Sequence, residues 1–378
     1  MIHLICLITT LLCSLEASWP FKQQGKCGLD TRIKDALHSP GELEKLYEDY
    51  KVEHGVDHNT RETPERLKIF KQFLVKVREL KADENVSWNV GITFMAHMTE
   101  CEKSLYHGSN ETANEEWESN GSLQSELKGL RSQQGGYFGY LPFTWDWRKQ
   151  NAVTPIKDQI GGTCWAHSAV VPLEAQLRVL KGKLKELSTQ ELIDCVYYGT
   201  SIYNDGLGGS KEMAWHWIKD HGRLASRSDI PDREKVMNCK WLTQARHSNA
   251  LSGYVIQEVR QIATVGDNEL PILETLSSIS PVAISMQTKD AELDSYMGGP
   301  YDWKNTQCKS GDSHAMVIVG YTIRYYIIKN SWGTKWGDSG YLMWVRSKLS
   351  GYNCNIFNVL TYPLLVKKRD YFARSEIQ

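Results

Sequence analysis

Beyond its first 18 residues, this 378-residue chain never approaches the ~20 consecutive apolar residues that a membrane-spanning helix needs. It also lacks an excess of either charge. With 44 Lys and Arg against 45 Asp and Glu, the formal charge is −1, so nothing draws it to nucleic acid or to an anionic membrane. The basic end "VKKRDYFAR" reads as a solvated tail. No C-x-x-C and no close set of Cys and His occurs, which argues against a structural zinc site. No metal and no organic cofactor is implied.

The opening "MIHLICLITTLLCSLEAS" has no Lys or Arg, yet its apolar run from Leu4 to Leu15, followed by Ala17 and Ser18, has the build of a cleaved secretory signal over residues 1–18. At about a dozen apolar residues it is too short to cross a bilayer. The product is expected to be soluble, made in an oxidising lumen, and lysosomal or extracellular. Of the nine cysteines, the signal removes Cys6 and Cys13 and leaves Cys27, Cys101, Cys164, Cys195, Cys239, Cys308 and Cys354. That number is odd, so at least one thiol stays free or pairs between molecules, unless it is simply a buried hydrophobe.

The front of the chain has helical texture. "PGELEKLYEDYKVEHG" puts Leu43, Leu46, Tyr47 and Tyr50 on one face, and "TPERLKIFKQFLVKVRELK" does the same with Ile69, Phe70, Phe73, Leu74, Val77 and Leu80. Thr63 is the expected N-cap and Pro64 the first helical residue. From about Glu102 to Gly139 the periodicity fades into polar, Gly- and Ser-rich sequence that reads as an exposed, cleavable linker. The three N-x-[ST] sequons, at Asn85, Asn110 and Asn120, all precede its end. Residues 19–139 therefore read as a separate, surface-rich module, and 140–378 as the main domain.

In that domain "CWAHSAVVPLEAQLRVLKG" predicts a helix beginning at Cys164, while "SPVAISM", "HAMVIVGY", "YYIIKN" and "GYLMWV" predict strands. Helices precede strands, so the fold class is α+β, with two lobes and a groove between them. A cysteine at a helix N-terminus meets unpaired N–H groups and the positive end of the helix dipole, which lower its pKa toward the reactive range. Such a thiolate needs an imidazole to carry the proton and a group to orient it. Five histidines lie beyond Leu141. His167 shares the helix and reads as a core or rim residue. His216 and His221 sit in the Trp-rich helix "MAWHWIKDHG", and His247 in a polar segment. His314 opens a strand and Asn330 ends the next one, so Cys164, His314 and Asn330 form the self-consistent trio.

The stretches "DWRKQNAVTPIKDQ", "CWA", "SHAMVIVGY", "YYIIKNSWGTKWGDSGY" and "CNIFNVLTYP" together resemble papain-family cysteine peptidases, most of all the cathepsin L-like branch, over Leu141 to Pro363. The resemblance implies a two-lobed papain-like fold, a helical lobe beside a β-barrel-like lobe. Cys164 would be the nucleophile, His314 the acid and base, Asn330 its orienter and Gln159 the side-chain donor of the oxyanion hole. Trp332 would roof the His314–Asn330 bond, and Gly208 and Gly209 would pair with substrate backbone. The pocket for the second residue before the scissile bond would have Val359 as its floor, favouring Leu, Val or Phe, and Lys211 in its wall, the lysine either laying its stem along the wall with its ammonium in water or turning the ammonium inward to admit an acidic residue.

The chain departs from the family in places. Gln159 stands one residue closer to Cys164 than is usual, and Gly161 and Leu207 stand where a bridged cysteine pair is usual. The family's remaining bridges imply Cys195–Cys239 and Cys308–Cys354, with Cys27–Cys101 a further pair in the front module and Cys164 left free. Pro172 falls inside the catalytic helix, where it removes one hydrogen bond and is expected to bend it.

The front module resembles the family's inhibitory propeptide. Glu62, Arg66, Phe70 and Val77 match its helix, while Phe73 and Lys81 stand in place of asparagines. The expected product is a monomeric cysteine endopeptidase made as a zymogen, with polypeptide substrates, inhibited by its own propeptide and freed when acid protonates that module's carboxylates. The sequence has neither the Cys-bounded insertion nor the His-His pair of cathepsin B-like exopeptidases. The other reading is a papain-fold binding protein whose shortened oxyanion loop has lost turnover.

Overall fold

The computed structural model describes residues 26–56, 63–108, 141–197, 208–233, 235–239, 249–264, 268–288, 292–302, 313–346 and 354–375. The signal segment, most of the expected linker, Asn110, Asn120, His247 and Cys308 lie outside them.

Three helices build the front: α1 (Lys26–His38), α2 (Pro40–His54) and α3 (Thr63–Ala82). The apolar stripes face inward as their spacing requires. Leu43, Leu46, Tyr47 and Tyr50 are buried on α2, and Phe70, Phe73, Leu74 and Val77 on α3, with Ile69 and Leu80 at the margin. The rings of Tyr47 and Tyr50 lie 5.1 and 5.0 Å from Phe70. A short helix, α4 (Glu100–Ser104), follows, closed at its start by a reciprocal Thr99–Glu102 capping box. Arg66 grips Glu102 from α3. This anchorage leaves Cys101 on the outer side of α4 as an exposed free thiol, so the expected Cys27–Cys101 bridge is not formed.

The front also packs against the main domain. Between α3 and α4, Trp88, Val90, Ile92, Met95 and Ala96 bury themselves in one apolar cluster with Trp332, Trp336 and Trp344 of the main domain. Val90 also forms a β-bridge to Tyr296. Polar composition reported the outer face only.

The main domain is α+β. Its helices α5 (Cys164–Lys181), α6 (Thr189–Cys195) and α7 (Lys211–His221) come first; α8 (Leu270–Ser278) and α9 (Lys368–Ser375) fall among and after the strands. The strands are β1 (Trp145–Asp146), β2 (Tyr254–Gln261), β3 (Val282–Gln287), β4 (Pro300–Tyr301), β5 (Ser313–Tyr321), β6 (Tyr325–Lys329), β7 (Tyr341–Val345) and β8 (Leu360–Lys367). They order as β2-β8-β3-β5-β6-β7-β4, antiparallel except for β4 beside β7, with β1 also against β5. Every residue of β5 is buried because both of its faces are covered. Met316 and Ile318 enter the cluster shared with the front helices, while Val317 and Val319 enter a second core around Trp165 and Trp215. Helix α5 lies in that second core, buried from Cys164 to Leu177 and continuous through Pro172. Cys195 is bridged to Cys239. Cys354 is also disulfide-bonded.

Candidate active site

Cys164 opens α5 where the helix end meets β5. The Ala315 N–H reaches its Sγ at 3.4 Å, and the N–H groups of Gly108 and Trp165 face the same sulfur. His314 precedes Ala315. Because β5 and β6 are antiparallel neighbours, Asn330, just past the end of β6, arrives at the same edge as His314. Its Oδ1 stands 2.8 Å from His314 Nε2 and also accepts from the Ser331 N–H at 2.8 Å, which fixes the amide. Trp332 stacks on the imidazole, centroids 4.5 Å apart and planes 28° apart. The structure thus brings Cys164, His314, Asn330 and Trp332 together.

Gln159 joins them despite its shortened loop. Its N–H donates to Ser331 O at 2.8 Å, and Ser331 Oγ donates to its Oε1 at 2.6 Å. The amide nitrogen is therefore aimed away from Ser331. It donates to the Tyr106 carbonyl at 3.0 Å and to the Gly161 carbonyl at 2.5 Å, where Gly161 turns the loop with φ +50°. The positive φ, open to glycine at little cost, lets a shorter loop bring the same side chain in.

The cleft is filled by the chain's own front module. Tyr106, His107 and Gly108 fall in the stretch expected to be linker, yet they lie across the site. Gly209 N–H donates to Gly108 O at 2.7 Å. A Cβ on Gly209 would fall 2.5 Å from the Trp165 ring and 2.6 Å from Tyr197, so only glycine lets a backbone come this near. Gly208 is exposed beside it. The His107 ring lies 5.7 Å from both His314 and Trp332, with Nδ1 at 2.9 Å from Thr288 Oγ1. Sequence reasoning missed Tyr106–Gly108, Thr288 and Ser331. The one available signal was a Tyr-His-Gly run directly after a capped helix.

This filling reverses one expectation. Burial pushes the Cys164 thiol up, outweighing the N–H groups and the Lys211 ammonium that favour its thiolate. Burial likewise holds His314 down at about 4, against the Asn330 oxygen and the Tyr106 carbonyl. In the covered cleft burial disfavours the charged form of both groups.

His167 points elsewhere. It lines a cavity of about 20 Å³ together with Lys157, Lys329 and Asn330, and burial and those lysines hold its pKa down at about 3. His216 is half-buried, and His221 is exposed on its own helix. Lys211 takes the inward of its two expected placements. Its side chain is 2 % exposed, with Nζ 2.8 Å from Ser285 Oγ and 3.0 Å from Glu212 Oε1. These two partners hold the ammonium inside. Val359 is half-buried just before β8.

Comparison with known proteins agrees with this architecture. Residues 141–364 match the family described as papain family cysteine protease, and residues 47–102 match the cathepsin propeptide inhibitor domain (I29). The chain is 31% identical over 315 residues to the probable thiol protease P34 of Glycine max, covering 81% of this chain and 79% of that one. It is 34% identical over 255 residues to a cathepsin L-like peptidase of Aedes aegypti, covering 64% and 71% of the two chains. Among solved structures, a digestive procathepsin L2 proteinase from the Tenebrio molitor larval midgut aligns with TM-score 0.67 at 26% identity, over 85% of this chain and 99% of that one. With the residues that follow the inhibitor domain lying in the cleft, this chain belongs to the papain family of cysteine proteases and is a zymogen carrying its propeptide.

Proposed function

We propose that the chain matures into a cysteine endopeptidase in which Cys164 is the nucleophile, His314 the acid and base, Asn330 the orienter of the imidazole, and Gln159 with the Cys164 N–H the oxyanion hole. The observation that carries this reading is the Tyr106 carbonyl. It accepts from Gln159 Nε2 at 3.0 Å, as the oxygen of a substrate carbonyl would accept from the side-chain donor of the hole. In a substrate, the thiolate adds to the carbonyl carbon and the oxygen gains charge. Each donor to that oxygen is worth about 2.7–4 kcal/mol of transition-state stabilisation. His314 then passes its proton to the departing amine and leaves a thioester. Water, deprotonated by the same imidazole, releases the acid.

Trp332, stacked on His314, shields the bond to Asn330 from water. Gly209, with Gly208 beside it, binds peptide backbone, and Lys211 and Val359 flank the neighbouring side-chain pocket. Loss of residues 19–139, leaving a form that begins near Leu141, rehydrates the cleft and allows the thiolate–imidazolium pair to form. A secretory route to a lysosomal or extracellular site is supported by the Cys195–Cys239 disulfide and the signal-like start.

The test treats processed protein with a thiol-directed peptidyl epoxide and a fluorogenic dipeptide substrate. Turnover with labelling confined to Cys164 is expected. Labelling without turnover would identify a papain-fold binding protein, and neither would remove the reactive thiol.

A further inference from the structure

A buried cation stands beside the nucleophile. Lys211 opens α7 two residues after Gly209, whose N–H holds the backbone lying in the cleft. Its Nζ donates to Ser285 Oγ at 2.8 Å. Ser285 pairs across the sheet with Ala315, the residue whose N–H meets Cys164 Sγ. The ammonium is thus one strand away from the thiol, on the wall that flanks a bound peptide.

Its hydrogen-bonding capacity is lopsided. Glu212 Oε1 lies 3.0 Å from Nζ, but that carboxylate is already mostly occupied: Oε1 also accepts from Thr361 Oγ1 at 2.7 Å, and Oε2 from Ser210 Oγ at 2.7 Å. Of its three N–H donors, the ammonium uses two among the described residues, on Ser285 and Glu212. The wall can give a hydrogen bond but has little left with which to accept one. A basic side chain would meet the ammonium and find one acceptor site of the carboxylate left. An aliphatic one would cover the spare N–H without a partner. A carboxylate or amide oxygen would complete the set with a charge-assisted bond.

We propose that Lys211 makes this enzyme select a hydrogen-bond-accepting side chain, above all an acidic one, at the second substrate residue before the scissile bond. The proposal rests on the peptidase reading above and adds the substrate class to it.

The experiment uses processed enzyme and a fluorogenic peptide library varied at that residue. Glu and Asp should exceed Leu by tenfold or more in kcat/KM, and Lys211→Met should put Leu first. Because Lys211→Met strands the buried Glu212 carboxylate, Lys211→Met/Glu212→Gln is run beside it and should give the same order. A wild type that prefers Leu or Phe to Glu overturns the proposal, as does a Glu-to-Leu ratio that neither variant changes. Peptide binding to Cys164→Ala, processed by an added protease, makes the answer independent of turnover. Tighter binding of the Glu peptide without turnover in the wild type would keep the selectivity and remove the peptidase reading; equal binding of Glu and Leu peptides would remove the selectivity.

Discussion

Asn330 offers its oxygen to His314 and leaves its amide nitrogen without a partner among the described residues, at the cavity that His167 also lines. His167 Nδ1 is equally unpartnered, and a buried polar atom in that state costs about 1–3 kcal/mol. His167→Phe should therefore fill the space and raise stability by about 1–2 kcal/mol, read as an upward shift of the thermal midpoint, with kcat/KM nearly unchanged. A large loss of activity would make His167 part of the machinery. For the trio itself, Cys164→Ala should abolish hydrolysis and His314→Ala should cost about 10²–10⁴ in kcat. Asn330→Ala should cost less, because it acts only through the ring. Kinetics that rank His167→Ala below His314→Ala in activity would show the wrong histidine had been chosen as base.

At the scale of elements, the propeptide is pinned by Asp294, which sits in the short turn Leu293–Ser295 of the main domain. Lys76 of α3 reaches its Oδ1 at 3.0 Å, and Lys103 of α4 its Oδ2 at 2.9 Å. Two front helices thus converge on one half-buried carboxylate. Removing the carboxylate from a partly exposed pair of this kind costs about 1–2 kcal/mol, so Asp294→Asn should speed zymogen activation by about tenfold. Processing followed by gel at fixed pH checks this, and an unchanged rate would make the pair incidental. How much of this was legible beforehand depended on the element. Strands β3, β5, β6 and β7 announce themselves as apolar runs, and α2, α3 and α5 by their stripes. Strand β2, "YVIQEVRQ", does not: it is an edge strand paired only with β8, so half of its residues can be polar. Cys164, His314 and Asn330 could be singled out because the chemistry of a thiol nucleophile calls for their types, and Gln159 through the family resemblance. Tyr106–Gly108 were not, because a polar segment docked by its backbone carries no periodicity, and the depth of Lys211 depends on Ser285, 74 residues away in the chain.

For the whole molecule, if acid is to act as the release signal, as the sequence suggests, Glu102 and Asp294 are poor groups to receive it. Arg66 holds Glu102 at about 2, and Asp294 is held below its ordinary value despite burial, chiefly by Lys76 and Lys103. A depressed carboxylate keeps its contribution until the pH falls through the depressed value, so Glu102 clamps the propeptide well into acid. The histidines behave differently. Burial holds His107 at about 3, with His314 and Lys103 also pushing down and Asp294 pulling up; burial and Lys335 hold His54 at about 4. Each would titrate near 6.5 once released. The docked state binds fewer protons, so docking is at full strength above about pH 6.5 and weakens as pH falls toward 4, by up to about 1.4 kcal/mol per pH unit for His107. His107→Phe should keep the ring contact with Trp332 while deleting the proton site. Its processing midpoint should move about half a pH unit or more toward acid, in a series run from pH 7 to 4 with added mature enzyme held constant. If the midpoint stays in place while His54→Phe shifts it, the acid signal enters through the α2 end of the propeptide, not through the cleft. If neither variant shifts it, histidine protonation at these two sites is not what opens the zymogen.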